Sequence, residues 1–135
     1  MKKILTVGVF DYFHLGHLRL FKQCKELADY LIVAVQEDDY ILQYKPNAKT
    51  LYSLDDRVEI INSIAIVDKA ITYRNVSEIV KNVEFDIFAT GEDQTHEGFV
   101  SAQAWCREHG KDVVVLKRTP VISSNMIKSQ IEILR

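Results

Sequence analysis

Two kinds of apolar pattern alternate along the chain. Ile4-Leu5-Thr6-Val7-Gly8-Val9-Phe10 is a short, nearly continuous apolar run rich in β-branched residues, the pattern of a strand covered on both faces of a parallel sheet. Leu31–Val35, Ala70–Thr72, Phe85–Ala89 and Val113–Leu116 repeat it. Between these runs the apolar positions fall at helical spacing. Leu18, Phe21, Cys24 and Leu27 recur every three residues, and Val58, Ile61, Ile64 and Ala65 mark one face of a second helix. Ser53, three residues ahead of Asp56, is placed to cap that helix. Gly110 is placed to end a helix starting near Phe99, and Ser123-Ser124-Asn125 to start one carrying Met126, Ile127 and Ile131.

Strands alternating with helices of about 10–15 residues make βαβ units, whose right-handed crossovers build a parallel sheet with helices on both faces. The expected fold is therefore α/β, doubly wound on five parallel strands, as one domain over residues 1–135. Ligands of such sheets lie outside the carboxyl ends of the strands. The segments to inspect are thus Gly8 to His17, Gln36 to Ser53, Gly91 to Phe99, and Lys117 to Asn125. The second includes the least patterned stretch, Tyr44 to Tyr52, with Pro46, Lys45 and Lys49; loops of that length in compact domains are usually functional.

Composition narrows the field without changing it. The chain has 135 residues, 47% hydrophobic and 27% charged, with 17 basic against 19 acidic side chains for a net charge of −2, as in an ordinary globular domain. A pI near 6.1 argues against a nucleic-acid binder working through a basic surface. Cys24 and Cys106 fit no metal-ligand spacing and read as two separate thiols in a reducing compartment. The opening apolar run is too short for a secretory segment, and no run approaches the roughly 20 residues of a membrane span. A cytoplasmic protein without membrane insertion is expected.

The chemistry concentrates in Gly8-Val9-Phe10-Asp11-Tyr12-Phe13-His14-Leu15-Gly16-His17. A strand ends at Gly8, where the missing side chain would let a ligand approach the backbone, and a helix begins near Gly16. His14 and His17, three apart, share one side of the first helical turn beside amides that favour an anion. Two imidazoles and free N–H groups would cradle a polyphosphate without a fixed full charge. The competing readings are an ordinary capping pair and a zinc site that drafts His96 or Asp11. Near the other end, Arg118 follows the Val113–Leu116 strand, where its planar fork can bridge phosphate oxygens. Ser123, Ser124 and Asn125 add hydroxyls and helix N-terminal amides.

The opening segment resembles the His-x-Gly-His signature of the cytidylyltransferase-type nucleotidyltransferases. Arg118-Thr119-Pro120-Val121-Ile122-Ser123-Ser124 resembles that family's second signature, with Pro120-Val121 in place of the usual Glu-Gly. The likeness runs from Lys2 to Lys128 and is nearest to small bacterial glycerol-3-phosphate cytidylyltransferases. The resemblance implies a Rossmann-like fold, with His14, His17, Lys45 and Arg118 as catalytic groups. It also implies nucleotide contacts from Gly8, Val9, Phe10 and Gly16, from Gly91 and Asp93 in the base-recognition loop, and from Thr119, Ile122, Ser123 and Ser124. Asp11 and Arg57 are expected on the acceptor side, although Lys45, Arg57 and Asp93 equally suit solvated charges. The family's usual acceptor arginine is Ala65 here, which leaves that anchor unassigned.

The activity implied is transfer of CMP from CTP to a small phosphorylated or phosphonylated alcohol, with release of pyrophosphate, Mg²⁺ on the phosphates and a homodimeric assembly. Two alternatives stay open. One is an adenylyltransferase of the archaeal FAD-synthase type, since Gly91-Glu92-Asp93-Gln94 also resembles the Gly-x-Asp-Gln loop of those enzymes. The other is a nucleotide-binding regulator without catalysis.

Overall fold

The computed structural model describes residues 1–38, 50–118 and Ile127. Within them the chain runs β1 (Lys3–Gly8), α1 (Leu15–Leu27), β2 (Tyr30–Gln36), α2 (Leu54–Asn62), β3 (Lys69–Tyr73), α3 (Val76–Asn82), β4 (Ile87–Gly91), α4 (Glu97–Glu108) and β5 (Asp112–Leu116). The five strands pair in parallel in the order β3-β2-β1-β4-β5. This is the five-stranded, parallel, Rossmann-like sheet expected, and its order reverses direction between β1 and β4.

Each strand contributes alternate residues to two cores, one on either face. Ile4 of β1, Val33 and Val35 of β2 and Ala89 of β4 pack against Phe21 and Cys24 of α1 and Ile61 of α2. Leu5, Val7, Ile32 and Phe88 face the other way, onto Val76 and Val80 of α3 and Phe99, Ala102 and Cys106 of α4. Strands covered on both faces read as continuous apolar runs rather than alternating ones, which is how the sequence displayed them. Cys24 and Cys106 sit in opposite cores as separate buried thiols, consistent with the expectation for them.

Caps fix the helix boundaries. Ser53 accepts the Asp56 amide at 3.2 Å to start α2, and Gly110, at φ 75°, follows the end of α4. α2 is shorter than its apolar periodicity suggests. The Ser63 amide meets the carbonyls of Glu59, Ile60 and Ile61 and closes the helix at Asn62. Ile64 and Ala65 therefore lie in the turn beyond it, and Ala65 is exposed. Phe85 and Asp86 precede β4 instead of opening it. α3 was not anticipated; it is only seven residues long, capped by Asn75, whose side chain accepts the Ser77 amide at 2.8 Å. The helix expected after Asn125 lies outside the described residues.

Candidate active site

β1 ends at the point where the sheet order reverses, and the chain must turn sharply before α1. Phe10 and Tyr12 make that turn at φ 55° and 51°, left-handed values that side chains rarely adopt. The Phe10 ring folds back into the core, so that a Cβ at Gly8 would stand 2.9 Å from its tip. Glycine at position 8 thus makes room for an aromatic ring of the same loop. Phe10, 5% exposed, has only backbone to offer a nucleotide.

Two further expected site residues bear on the same loop. Asp11 uses both carboxylate oxygens on backbone ahead of α2, accepting the amides of Leu51 at 2.7 Å and Tyr52 at 3.1 Å. Arg57, expected to face the acceptor or solvent, is wholly buried. Its Nη1 donates to the carbonyls of Val9 at 2.9 Å and Gln36 at 3.0 Å, its Nε donates to the carbonyl of Tyr52 at 3.3 Å, and its Nη2 pairs with Asp38. Carbonyls where β1 and β2 run out have no ladder partner, and a five-donor fork satisfies several at once. Asp11 and Arg57 therefore hold the loop after β1 to the segment before α2.

His14 is the N-cap of α1, and the two histidines cap each other's turn. The Gly16 amide donates to Nδ1 of His14 at 3.0 Å, and the His14 amide donates to Nδ1 of His17 at 3.2 Å. The capping reading therefore holds, and the caps fix which nitrogen of each ring is left to donate. A neutral imidazole that accepts at Nδ1 carries its proton on Nε2, so each ring keeps one N–H to donate. The rings stack with centroids 3.9 Å apart, while Phe10 and Phe13 lie against His17, each at 5.4 Å. Burial, followed by the neighbouring His14, pushes the His17 pKa down to about 3. Burial and then the Arg118 charge lower that of His14. Both rings are neutral donors at pH 7. The amides of His14 and Gly16, expected to be free for an anion, are engaged with the imidazoles.

Across the reversal point, Arg118 follows β5 and lies 3.7 Å from Asp93, which follows β4; both are about half exposed or more. Gly91 ends β4 with its amide donating to the side chain of Gln94, whose other end donates to the Val7 carbonyl of β1. Gln94 was not among the expected site residues. Lys45, Thr119, Ile122, Ser123 and Ser124 lie outside the described residues. Among the described residues no group of three or more His, Cys, Asp or Glu side chains is arranged to hold a metal. The side-chain donors on these elements are N–H groups of His14, His17 and Arg118, which suit an anion.

The sequence model of the cytidylyltransferase-like family matches residues 5–130. Glycerol-3-phosphate cytidylyltransferase of Bacillus subtilis is 34% identical over 135 residues, covering 97% of this chain and 98% of that protein. FAD synthase of Methanosarcina barkeri is 38% identical over 96 residues, covering 70% of this chain and 67% of that protein. A solved structure from Thermoplasma volcanium, described as a lipopolysaccharide core biosynthesis protein, aligns with a TM-score of 0.72 at 27% identity over 88% of this chain and 97% of that one. With the fold, the paired histidines after β1 and these matches together, the chain belongs to the cytidylyltransferase-like family, whose named cytidylyltransferase relatives are nucleotidyltransferases.

Proposed function

We propose that this protein transfers CMP from CTP to a small phosphorylated or phosphonylated alcohol, releasing pyrophosphate. The observation that carries the proposal is the stacked His14–His17 pair, with both Nδ1 atoms tied to backbone amides and both Nε2–H groups left as donors at the sheet reversal. Near-full-length similarity to glycerol-3-phosphate cytidylyltransferases supports the phosphoalcohol acceptor.

An oxygen of the acceptor phosphate attacks the α-phosphorus as the bond from that phosphorus to the β-phosphate oxygen breaks, and the electron pair leaves with pyrophosphate. Transfer of this kind gains from positioning and charge stabilisation and needs no protein nucleophile. The Nε2–H groups donate to phosphate oxygens, and these bonds strengthen as negative charge builds on the leaving group. The Arg118 guanidinium neutralises the same chain of phosphates from the β5 side. Lys45, Ser123 and Ser124 are assigned to that chain by resemblance alone. Mg²⁺ chelated by the triphosphate would supply further charge neutralisation.

The test is pyrophosphate release from CTP and from ATP, each with Mg²⁺, across glycerol phosphate, amino-alcohol phosphates and phosphonates, with mass spectrometry of the product. CTP-dependent release with one of these acceptors is expected. Release from ATP alone would assign the chain to adenylyl transfer, and silence with every pair would leave a nucleotide-binding regulator.

A further inference from the structure

Among the described strands the sheet opens at one seam. β1 pairs with β2 up to its last residue, Gly8↔Val35, and β4 pairs with β5 up to its last residue, Gly91↔Leu116. Between β1 and β4 the register stops at Thr6↔Ala89, two residues short of either strand's end. Val7 and Gly8 have therefore parted from Thr90 and Gly91 while the flanking seams stay closed. By the general rule for such sheets, this crevice is where a ligand enters.

The Gln94 carboxamide stands in that gap. Its nitrogen donates to the Val7 carbonyl at 2.8 Å, and its oxygen accepts the Gly91 amide at 2.9 Å. The Gln94 amide in turn donates to the Gly91 carbonyl at 3.1 Å, so the turn that carries the side chain is itself closed. A carboxamide offers the donor and acceptor of a peptide unit on a planar group. Inserted between two strands, it completes their hydrogen bonding and keeps them from either zipping together or splaying. A carboxylate at this position has no proton to give the Val7 carbonyl.

We infer that Gln94 is a positioning residue that sets the width of the crevice between β1 and β4, and with it the fit of the nucleotide. The inference rests on the nucleotide-binding reading above. Gln94 does this through the strand ends at Val7 and Gly91, with His14, His17 and Arg118 left to the phosphates.

The test compares wild type, Gln94→Glu and Gln94→Asn. Glutamate keeps the shape and the acceptor but loses the donor; asparagine keeps both functions but is one methylene too short to span the gap. Affinity for CTP and ATP is read by calorimetry, KM and kcat by pyrophosphate release, and folding by thermal melting. Both variants should raise the KM and Kd for CTP about tenfold, as expected for one lost buried hydrogen bond. They should also narrow the CTP-to-ATP preference, with kcat at saturation held within about threefold, the signature of lost ground-state seating. Should Gln94→Glu not fold, Gln94→Asn reads the same two quantities. Variants that melt earlier but keep wild-type KM and nucleotide preference overturn the inference and leave Gln94 as a structural tie. A wild type that binds neither nucleotide overturns the proposed function and this inference with it, a result visible before any variant is made.

Discussion

The two ends of the sheet use the same device for opposite purposes. At the amino ends of the strands, three aspartates each make a reciprocal pair with a neighbouring strand. Asp29 donates its amide to the Lys2 carbonyl and accepts the Lys2 amide at 3.0 Å. Asp86 does the same with Lys3 at 2.8 Å, and Asp68 with Leu31 at 2.8 Å. At the carboxyl ends, Arg57 and Gln94 again bind strand backbone, while Asp11 ties the loop after β1 to the amides of Leu51 and Tyr52; Arg57 and Asp11 are buried, and that loop contains two left-handed residues. One end closes neighbouring strands onto each other. The other holds β1 and β4 parted at their last residues, with the Gln94 carboxamide between them. The two left-handed residues, Phe10 and Tyr12, lie at the holding end.

The largest expected effect comes from removing the imidazole donors. His14→Ala and His17→Ala should each lower pyrophosphate release by on the order of 10²–10³, the usual loss for one transition-state donor. Near-wild-type turnover in both would erase the functional difference between the two ends. Next is the clasp itself. Arg57→Met leaves the carbonyls of Val9, Gln36 and Tyr52 without their donor, and about 2–4 kcal/mol of stability should be lost in urea titration, as when buried acceptors go unsatisfied. Arg57→Lys should recover little of it, because a single ammonium cannot reproduce the fork. A loss under about 1 kcal/mol would make Arg57 no different from the surface pair of Lys25 with Asp68.

What the sequence disclosed depended on range. The five strands, α1, α4 and the cap at Ser53 rest on neighbours within a few positions, and periodicity exposed them. α3 escaped because seven residues give only Val76, Ile79 and Val80 as a repeat, although Asn75 is a legible cap. Ile64 and Ala65 misled because apolar spacing continues past a helix that Ser63 has already closed. The histidine pair was legible, since its reciprocal capping spans a single turn. The backbone contacts of Asp11, Arg57 and Gln94 were not legible because these partners lie 40, 48 and 87 residues away, where only the fold brings them.

The neutral imidazoles give the comparison a pH signature. The ordinary histidine value is 6.5, and His17 is held at about 3 by burial and then by His14. Below 6.5 the unfolded chain takes up a proton that the folded site refuses. The stability associated with the uncharged ring is therefore complete above pH 6.5 and is lost progressively as pH falls toward 3. Urea titrations at pH 7.5 and 5 should show wild type losing more stability on acidification than His17→Asn. Equal losses would mean that the ring is solvated and titrates normally. Nucleotide affinity should likewise not rise as pH falls through 6.5, since a gain there would require imidazolium donors.

The smallest effect belongs to the amino ends. Asp86 is exposed, and its carboxylate accepts the Lys3 amide where solvent competes. Asp86→Ala should cost about 0.5–1 kcal/mol, the net worth of one such bond, and Asp86→Asn less, because its oxygen still accepts. Neither should move KM or kcat, since the amino ends of the strands they secure lie at the opposite end of the sheet from His14 and Arg118. A change in turnover without a change in melting would mean that the amino-end pairs govern the opening of the β1–β4 seam from a distance. The division between a closing end and a holding end would then fail.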